Sequence, residues 1–544
     1  MFKFKALTSE KLSLIAALFF VFACNSVFWQ QLYTIQNPST AAGWLFMLIG
    51  ALFLILVLNL FLNLLALPYV LKPVLSVLLV ITPVVVYFMS QFGIMINGGM
   101  LRNAAQTNLT ETLDLLTLKM ALYWLVLGGL PLYLLWKTPI QYRPFRREAM
   151  VKTSVIVGSI VLLLLVSLGF YKDFASVFRN NRELRFLITP MNFIQASSNY
   201  LKHSVNIKPI VVAAIGTDAK YTPLPQSRPK LTIIVVGETA RAANFSLNGY
   251  ERETNPLLKQ QAGLINLPQV SSCGTDTAVS LPCMFSKFGK DNYSEKQAKS
   301  HQGLLDVVQR AGYQVLWRDN QSGCKGTCDR VPNETTIATA AADPKLCKDG
   351  ECLDEVLLTG LQEKIDAQQQ DAVIVLHMMG SHGPAYFKRY PPEFAKFQPT
   401  CNDKQLNRCS REQILNSYDN SLLYTDYVLS NVIDLLRKNS HRVDTAMMYL
   451  SDHGESLGEN GLYLHGAPYM LAPSEQTHVP AMMWLSPEFA QQAKIDLGCM
   501  QKKAGQAYSH DNLFHSTLGL LDIKTSLYQT ELDWFASCKA KTAQ

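Results

Sequence analysis

Three short segments of this sequence carry residue types that together could bind a divalent metal ion. Glu238 follows the apolar run Leu231–Val236, and Asp452 and His453 follow the apolar run Thr445–Leu450. Both runs are typical of buried parallel strands, and open α/β sheets bind ligands beyond the carboxyl ends of such strands. Two carboxylates and one imidazole suit zinc, and a hydroxyl could complete a tetrahedral site. This donor set favours metal-assisted transfer of a phosphoryl-type group.

Thr277 is the candidate nucleophile and the candidate source of that hydroxyl. The sequence Thr277-Ala-Val-Ser could begin a helix that runs to Phe285, with free N–H groups facing an incoming phosphate. Coordination to zinc would lower the pKa of a threonine hydroxyl, which is otherwise a poor nucleophile. The alternative interpretation makes Thr277 only a helix N-cap. A disulfide between Cys273 and Cys283 would brace the loop and favours the functional interpretation.

Two histidines and one lysine are secondary candidates. His382, in Gly-Ser-His-Gly-Pro, and His465, in Leu-His-Gly, could each bind a phosphate oxygen or protonate a leaving alkoxide. Each of them taken alone is more often a structural histidine. Lys325 lies between Cys324 and Cys328, where it could contact a phosphate or simply be a solvated loop lysine.

The residues around these motifs predict a catalytic α/β domain over residues 230–544. Apolar strand-like runs alternate with polar helical segments, which indicates a mainly parallel sheet with helices on both faces. The candidate strands are Leu231–Val236, Gly312–Trp317, Ala372–His377, Thr445–Leu450 and Val479–Leu485, and the candidate helices are Gly303–Ala311, Asp354–Asp366 and Gln413–Lys438.

Residues 1–172 predict a transmembrane domain. Five apolar runs reach the length of a membrane-spanning helix, and buried core helices are rarely this long and uncharged. The predicted spans are Leu12–Gln31, Trp44–Ala66, Val70–Gln91, Met120–Trp136 and Thr153–Phe170.

Basic residues predict how these spans are oriented. Lys3, Lys5 and Lys11 precede the first span, and a basic loop from Lys137 to Lys152 separates the fourth from the fifth. The positive-inside rule places both in the cytoplasm and everything after the fifth span outside. The formal net charge of +7 owes much to these flanks. No basic stripe with interleaved aromatics occurs elsewhere, so we do not expect nucleic-acid binding.

Residues 173–229 connect the two predicted domains. Met191–His203 could lie along the membrane surface as an amphipathic helix, and an ordinary packing helix is equally consistent with its pattern. The proline-rich stretch from Tyr221 to Pro229 is typical of an extended linker.

The cysteines indicate an oxidising compartment. The chain has 11 cysteines, and all but Cys24 follow the last predicted span. An even set of this kind favours disulfides, whereas zinc-finger pairing would need accompanying histidines. Connectivity does not follow from sequence, and nearest-neighbour pairing is our hypothesis. It gives Cys273–Cys283, Cys324–Cys328, Cys347–Cys352 and Cys401–Cys409, with Cys499 and Cys538 remaining.

These motifs together resemble those of the bacterial lipid A phosphoethanolamine transferases, the family that includes the mobile colistin-resistance enzymes. The likeness covers nearly the whole chain. The segments that carry it are Gly237-Glu-Thr-Ala-Arg241, Ser272-Cys-Gly-Thr-Asp-Thr-Ala-Val-Ser280 with Pro282-Cys-Met284, Gly380-Ser-His-Gly-Pro384 and Ser451-Asp-His-Gly-Glu-Ser456.

The resemblance implies an alkaline-phosphatase/sulfatase-like soluble domain in the periplasm, anchored in the bacterial inner membrane by five helices. It implies a threonine nucleophile activated by zinc, a phosphatidylethanolamine donor, a lipid A acceptor and resistance to polymyxins. We further expect a monomer, with a second zinc as an open possibility. The implied metal ligands are Glu238, Thr277, Asp452 and His453, and the implied substrate-binding residues are Asn103, Thr107, Glu111, Ser322, Lys325, His382 and His465.

Other activities remain as alternatives at this point. A sulfatase would be expected to show a cysteine or serine nucleophile followed closely by Pro and Arg, which Thr277-Ala-Val-Ser lacks. A phosphodiesterase or a phosphoglycerol transferase could use the same scaffold, and the phosphoethanolamine acceptor could be a core sugar or another glycan. A non-enzymatic sensor or transporter is disfavoured, since no charged residues mark a pathway through the spans.

Overall fold

The computed structural model describes residues 5–36, 38–106, 115–204, 211–223, 227–336, 345–348 and 350–540. These residues form two compact units, one drawn from residues 1–105 and 116–206 and the other from residues 106–115 and 207–544. The predicted connector is not a separate unit in this division. The boundaries proposed at residues 172 and 229 remain predictions.

The first unit is built from apolar helices. Each long helix satisfies its own backbone hydrogen bonds, which a segment inside lipid must do. The helices are α1 (Ser9–Ala23), α2 (Ser26–Gln36), α3 (Ala41–Leu64), α4 (Leu71–Phe92), α5 (Gly98–Gln106), α6 (Leu118–Trp124), α7 (Leu130–Lys137), α8 (Phe145–Gly169), α9 (Tyr171–Asn180) and α10 (Met191–Ser204). A π-helical turn, Leu125–Gly129, joins α6 to α7.

Four of these helical stretches are long and apolar enough to cross a membrane. They are Gly43–Leu64, Leu71–Phe92, Leu118–Lys137 and Phe145–Gly169. The predicted first span is not one straight helix, because α1 and α2 meet at an angle of 59°. The described residues therefore contain four spans, or five when this bent pair counts as one. Each of the other four predicted spans overlaps one of these helices.

Two short strands tie the start of the chain to the loop before α8. Strand β1 (Leu7–Thr8) pairs in parallel with β2 (Ile140–Gln141). Arg143 supports this pairing through a salt bridge of 2.5 Å from its Nη2 to Oε1 of Glu10. Residues 7–8 and this basic loop thus lie at the same end of the helices, as the charge pattern predicts.

The second unit is an α/β domain around an eight-stranded sheet. The strand order is β14-β4-β13-β10-β3-β9-β5-β6. The strands are β3 (Lys230–Gly237), β4 (Ile265–Ser271), β5 (Gln314–Asp319), β6 (Asn333–Thr335), β9 (Ala372–His377), β10 (Asp444–Ser451), β13 (His478–Leu485) and β14 (Tyr508–Ser509). Smaller pairs are formed by β7 (Cys347–Lys348) with β8 (Glu351–Cys352), and by β11 (Ser456–Leu457) with β12 (Tyr463–Leu464).

Helices cover both faces of this sheet. Alternate residues of β3 enter different cores, with Ile234 and Val236 on one face and Ile233 and Val235 on the other. The helices are α11 (Thr277–Met284), α12 (Gly289–Asn292), α13 (Glu295–Ser300), α14 (Leu304–Arg310), α15 (Leu361–Asp366), α16 (Arg411–Asn439), α17 (Ser474–Thr477), α18 (Pro487–Gln492), α19 (Leu497–Lys503) and α20 (Asp511–Leu520).

Several expectations about individual elements are corrected. The sheet is parallel at its centre, but Val479–Leu485 belongs to a strand that is antiparallel to both neighbours. The segment Asp354–Asp366 is not one helix. Gly360, with a φ of +70°, separates a 3-10 turn over Asp354–Leu358 from α15. The sequence analysis also missed β4, β6 and β14.

Five disulfides brace the second unit. They join Cys273 to Cys283, Cys324 to Cys328, Cys347 to Cys352, Cys401 to Cys409, and Cys499 to Cys538. The nearest-neighbour hypothesis is therefore confirmed. Cys24 is a free thiol and is buried in the first unit.

This pattern predicts the thiol count of the oxidised protein. Alkylation of the full chain, unfolded without reductant, should add one label, because Cys24 alone carries a free thiol. Reduction before alkylation should raise the count to eleven, which intact-mass measurement resolves. Three or more labels without reductant would show that the predicted disulfides do not form.

Candidate metal centre

The register of two parallel strands brings Glu238 and Asp452 together. β3 and β10 pair residue by residue as far as Gly237 opposite Ser451, so the residue that follows each strand emerges at the same edge. Asp452 N–H donates to the Gly237 carbonyl (2.9 Å), which keeps the two chains adjacent beyond the last strand pair. Backbone pairing alone therefore places both carboxylates at the carboxyl edge of the sheet.

Glu238, Asp452 and His453 form a compact, fully buried cluster. Their ligand atoms all lie within 4.8 Å of one another. Nε2 of His453 lies 3.3 Å from Oε1 of Glu238 and 3.4 Å from Oδ2 of Asp452. The Nδ1–H of His453 donates to the Gly454 carbonyl (2.8 Å), which leaves Nε2 facing the carboxylates as a potential metal ligand.

Thr277 faces this cluster and is not the cap of its helix. The N-cap of α11 is Asp276, whose side chain accepts the N–H of Val279 (3.1 Å). Oγ1 of Thr277 lies 3.1 Å from each carboxylate oxygen of Glu238 and 3.3 Å from Nε2 of His453. The capping interpretation of Thr277 is therefore wrong. The Thr277 hydroxyl lies beside the three predicted ligands.

The electrostatics of the cluster favour a bound cation. Burial opposes a charge on His453, but the carboxylates of Asp452 and Glu238 outweigh burial and raise the pKa of His453 to about 10. Burial and the charge of Glu238 raise the pKa of Asp452 to about 6. The buried carboxylates thus recruit a proton as counter-charge, and a divalent metal would displace it.

The donor set fits zinc. Among the described residues, Oδ2 of Asp452 is a buried oxygen that accepts no hydrogen bond. A buried carboxylate oxygen without a donor is costly unless a cation takes the donor's place. Two carboxylates, one imidazole and one hydroxyl oxygen match the ligand types and number of a tetrahedral zinc site.

A network around Thr277 fixes the loop that carries this residue. The Ser280 hydroxyl, one turn further along α11, donates to the Asp452 carbonyl. Nδ1 of His510 accepts the N–H of Cys273 (3.1 Å), and its Nε2–H donates to the Ser451 carbonyl (2.9 Å). Together with the disulfide from Cys273, these bonds tie the loop to the end of β10. The sequence analysis missed Ser280 and His510, since neither has ligand spacing.

His382 and His465 both lie beside the cluster. The His465 ring centroid is 4.4 Å from that of His453 and 5.5 Å from that of His382. Nδ1 of His465 bonds to Oε2 of Glu455 (2.9 Å). His382 is half-buried, and desolvation lowers its pKa to about 3. Its Nδ1 has no hydrogen-bond partner among the described residues. The structure thus groups both predicted histidines with the predicted metal ligands.

Asp354 holds the loop that carries His382. Its two carboxylate oxygens accept the N–H groups of Met379 (2.7 Å) and Gly380 (2.8 Å). Gly380 has a φ of +54°, and a Cβ at this position would lie 2.4 Å from the Glu238 carbonyl. The loop therefore needs glycine to approach the metal ligand. Asp354 was not among the predicted site residues.

Ser322 and Lys325 form a small polar loop next to the cluster. Nζ of Lys325 donates to Oγ of Ser322 (2.8 Å) and approaches its carbonyl (3.3 Å). The disulfide from Cys324 to Cys328 closes this loop. The neighbouring Gln321 donates to Glu238, so the loop is joined directly to the predicted metal ligand.

Backbone strain occurs at three of these positions. Three non-glycine residues with positive φ belong to the site or adjoin it: Thr239 (61°) beside Glu238, Leu464 (64°) beside His465, and Lys325 itself (50°). Each such conformation costs on the order of 1–3 kcal/mol and persists where the surrounding structure enforces it, often at functional sites.

The three substrate-binding residues predicted within residues 1–172 are only partly described. Asn103 lies in α5 (Gly98–Gln106). Thr107 and Glu111 lie outside the described residues. The substrate-binding role assigned to these three residues therefore remains a prediction.

Comparison with known proteins places both parts of the chain in known families. Residues 230–523 match the family described as Sulfatase, and residues 54–205 match the family described as Phosphoethanolamine transferase EptA/EptB. The chain is 42% identical to phosphoethanolamine transferase EptA of Escherichia coli (strain K12), over 97% of this chain and 96% of that protein. It is 40% identical to phosphatidylethanolamine transferase Mcr-1 of Escherichia coli, over 84% of each chain.

A solved structure extends this similarity to the whole fold. The integral membrane protein lipooligosaccharide phosphoethanolamine transferase A (EptA) from Neisseria meningitidis matches with a TM-score of 0.95 and 39% identity. The match covers 99% of this chain and 100% of that one. The present chain is accordingly an integral membrane protein with a sulfatase-like soluble domain. It belongs to the EptA family of phosphoethanolamine transferases.

Proposed function

We propose that this protein transfers phosphoethanolamine from phosphatidylethanolamine to a phosphate of lipid A, with Thr277 as the nucleophile. The observation that carries the proposal is the Thr277 hydroxyl, which lies 3.1 Å from both oxygens of Glu238 in a buried cluster that fits zinc. Family membership indicates that the transferred group is phosphoethanolamine, and the geometry supports Thr277 as the residue that accepts it.

Four residues would hold the zinc ion: Glu238, Asp452, His453 and Thr277. When bound there, zinc would lower the pKa of the threonine hydroxyl and polarise a phosphoryl oxygen. A second zinc near His382 and His465 stays a prediction.

The first half of the reaction moves the phosphoethanolamine group onto the protein. Oγ1 of Thr277 attacks the phosphorus of the donor, the new O–P bond forms, and the bond from phosphorus to the diacylglycerol oxygen breaks. The carboxylate of Glu238 lies within reach of the hydroxyl proton. The N-terminus of α11 presents free N–H groups and its positive dipole end to the phosphate. His465 is the candidate to protonate the leaving diacylglycerol oxygen.

The second half of the reaction regenerates the free hydroxyl of Thr277. A phosphate oxygen of lipid A attacks the phosphorus of phosphoethanolamine-Thr277, the bond to Oγ1 breaks, and the hydroxyl regains its proton. The product carries an added ammonium group, so its net negative charge is partly offset. Cationic peptides such as polymyxins are then attracted less strongly to the cell surface.

The proposed setting is the bacterial inner membrane, with the second unit in the periplasm and the protein acting as a monomer. The five disulfides of the second unit support an oxidising compartment. Ser322, Lys325 and His382 would contact the phosphoethanolamine group. Asn103, Thr107 and Glu111 would contribute to headgroup binding, with Glu111 paired to the donor's ammonium.

A comparison of two lipid donors tests this proposal. Purified protein should release diacylglycerol from phosphatidylethanolamine and much less from phosphatidylglycerol. A neutral glycerol headgroup cannot form a salt bridge with the Glu111 carboxylate. Mass spectrometry of lipid A from cells that make the protein should show species heavier by one phosphoethanolamine unit, and such cells should tolerate more polymyxin.

Equal turnover of both lipids would instead indicate a phosphoglycerol transferase. Unmodified lipid A beside a newly decorated core sugar would keep the chemistry and overturn the acceptor.

A further inference from the structure

The residues just beyond β5 form a buried link between the metal cluster and the lysine loop. β5 ends at Asp319, and the next three residues, Asn320, Gln321 and Ser322, each contact a different part of the site. Asn320 donates to Oδ1 of Asp354 (2.8 Å), the residue that holds the His382 loop. Gln321 contacts Glu238, and Ser322 contacts Lys325.

The partners of Gln321 fix the orientation of its amide. Nε2 donates to Oε2 of Glu238 (2.9 Å), and Oε1 accepts the N–H of Ser322 (2.5 Å). A charged carboxylate can only accept and a backbone N–H can only donate, so the flipped amide would lose both bonds. The side chain is 8% exposed, so no solvent contact would replace either bond at full strength.

The backbone of Gln321 is held as firmly as its side chain. Oδ1 of Asp319 accepts the N–H of Gln321 (2.8 Å). Oδ2 of Asp319 accepts the indole N–H of Trp317 (2.8 Å) and bonds to Nδ1 of His377 (3.0 Å). Asp319, Trp317 and His377 are all buried in the sheet. The amide of Gln321 therefore reaches Glu238 from a rigid base.

Gln321 and Thr239 between them engage both oxygens of the Glu238 carboxylate. The Thr239 hydroxyl donates to Oε1 (2.7 Å), and Gln321 donates to Oε2 (2.9 Å). These two donors restrict rotation of the carboxylate about its last bond. Groups that orient a metal ligand in this way typically affect metal affinity or activity by 10- to 100-fold, about the effect expected here.

We infer that Gln321 is a positioning residue that sets the orientation of Glu238 for zinc and joins this ligand to the backbone of Ser322. The inference rests on the proposed zinc site. Because the Gln321 amide bonds to both Glu238 and the backbone of Ser322, a displacement of the Ser322–Lys325 loop would move Glu238. Loss of the amide would loosen Glu238 and this loop.

Substitution by leucine tests this role. Gln321→Leu keeps a side chain of comparable size and removes both amide bonds. In competition with a chelator, the full-length variant should bind zinc about 10- to 100-fold more weakly than the unmodified protein. A correspondingly higher zinc concentration should be needed to raise its thermal unfolding midpoint. At limiting free zinc its transfer rate should fall, and saturating zinc should restore kcat.

The control is Gln405→Leu, an equally buried glutamine in the Cys401–Cys409 loop, with an exposed fraction of 7% against 8% for Gln321. This variant should bind zinc like the unmodified protein. Unchanged zinc affinity in Gln321→Leu would overturn the inference, as would a loss of activity that saturating zinc does not restore. An unmodified protein that neither binds zinc nor transfers phosphoethanolamine would instead reject the proposed function.

Discussion

Replacement of Thr277 by alanine is expected to abolish phosphoethanolamine transfer while leaving the fold largely intact. The change removes the attacking oxygen and one of four proposed ligands. The side chain loses only a hydroxyl and a methyl group. Loss of a nucleophile costs several orders of magnitude in rate, and we expect a decrease on the order of 1,000-fold or more. Diacylglycerol release from phosphatidylethanolamine by the purified protein measures it.

Two further variants make this result specific. Thr277→Ser keeps a hydroxyl at the same atom and should retain measurable activity. Thr425→Ala removes another buried threonine hydroxyl, one that donates to the Ser421 carbonyl within α16 (3.1 Å), and should transfer at close to the normal rate. Transfer by Thr277→Ala at the rate of the unmodified protein would rule out the covalent mechanism.

The sequence predicts the central strands and the metal cluster because both follow from local pattern. β3, β9 and β10 are short apolar runs buried on both sides, and β3 and β10 end immediately before Glu238 and Asp452. Since parallel strands share one carboxyl edge, Glu238 and Asp452 were expected at the same edge of the sheet. Nothing beyond the strand ends was needed to predict this part of the site.

The residues that support the ligands are less accessible to such reasoning. Gln321, Asp354 and His510 act through single hydrogen bonds to residues distant in sequence, and no periodicity or spacing reports such a contact. The Gln321 segment had one usable signal. It directly follows β5, but the strand was predicted to end at Trp317 instead of Asp319, so the polar residues after it were not recognised as edge residues.

The first span shows a different limit of sequence reasoning. Hydropathy measures length and apolarity but not direction, so α1 and α2 together predict one straight span. The chain bends by 59° between them, around Cys24 and Asn25. The side-chain amide of Asn25 donates to the Phe20 carbonyl (2.8 Å) and to the Thr189 carbonyl (2.6 Å). This contact between residues distant in sequence is not reported by hydropathy.

Replacement of Asp452 by asparagine is expected to remove most of the zinc and most of the transfer activity. Asparagine keeps the volume of the side chain, but it removes one of the two charges that compensate the metal. Oδ2 of Asp452 accepts no hydrogen bond from any described residue and lies 3.4 Å from Nε2 of His453, so it is the carboxylate oxygen available to a metal ion. Metal analysis of the purified protein should find well under half of the unmodified zinc content, and the transfer rate should fall by about 100-fold or more.

A second buried aspartate distinguishes loss of the metal from general damage. Asp426 on α16 accepts the N–H groups of Leu257 and Leu258, both at 2.9 Å, and takes no part in the metal cluster. Asp426→Asn also removes a buried carboxylate, so it should cost some thermal stability, yet it should keep its zinc. Full zinc content and normal transfer in Asp452→Asn would refute the ligand assignment. Equal zinc loss in both variants would show that the metal depends on fold stability and not on the Asp452 carboxylate.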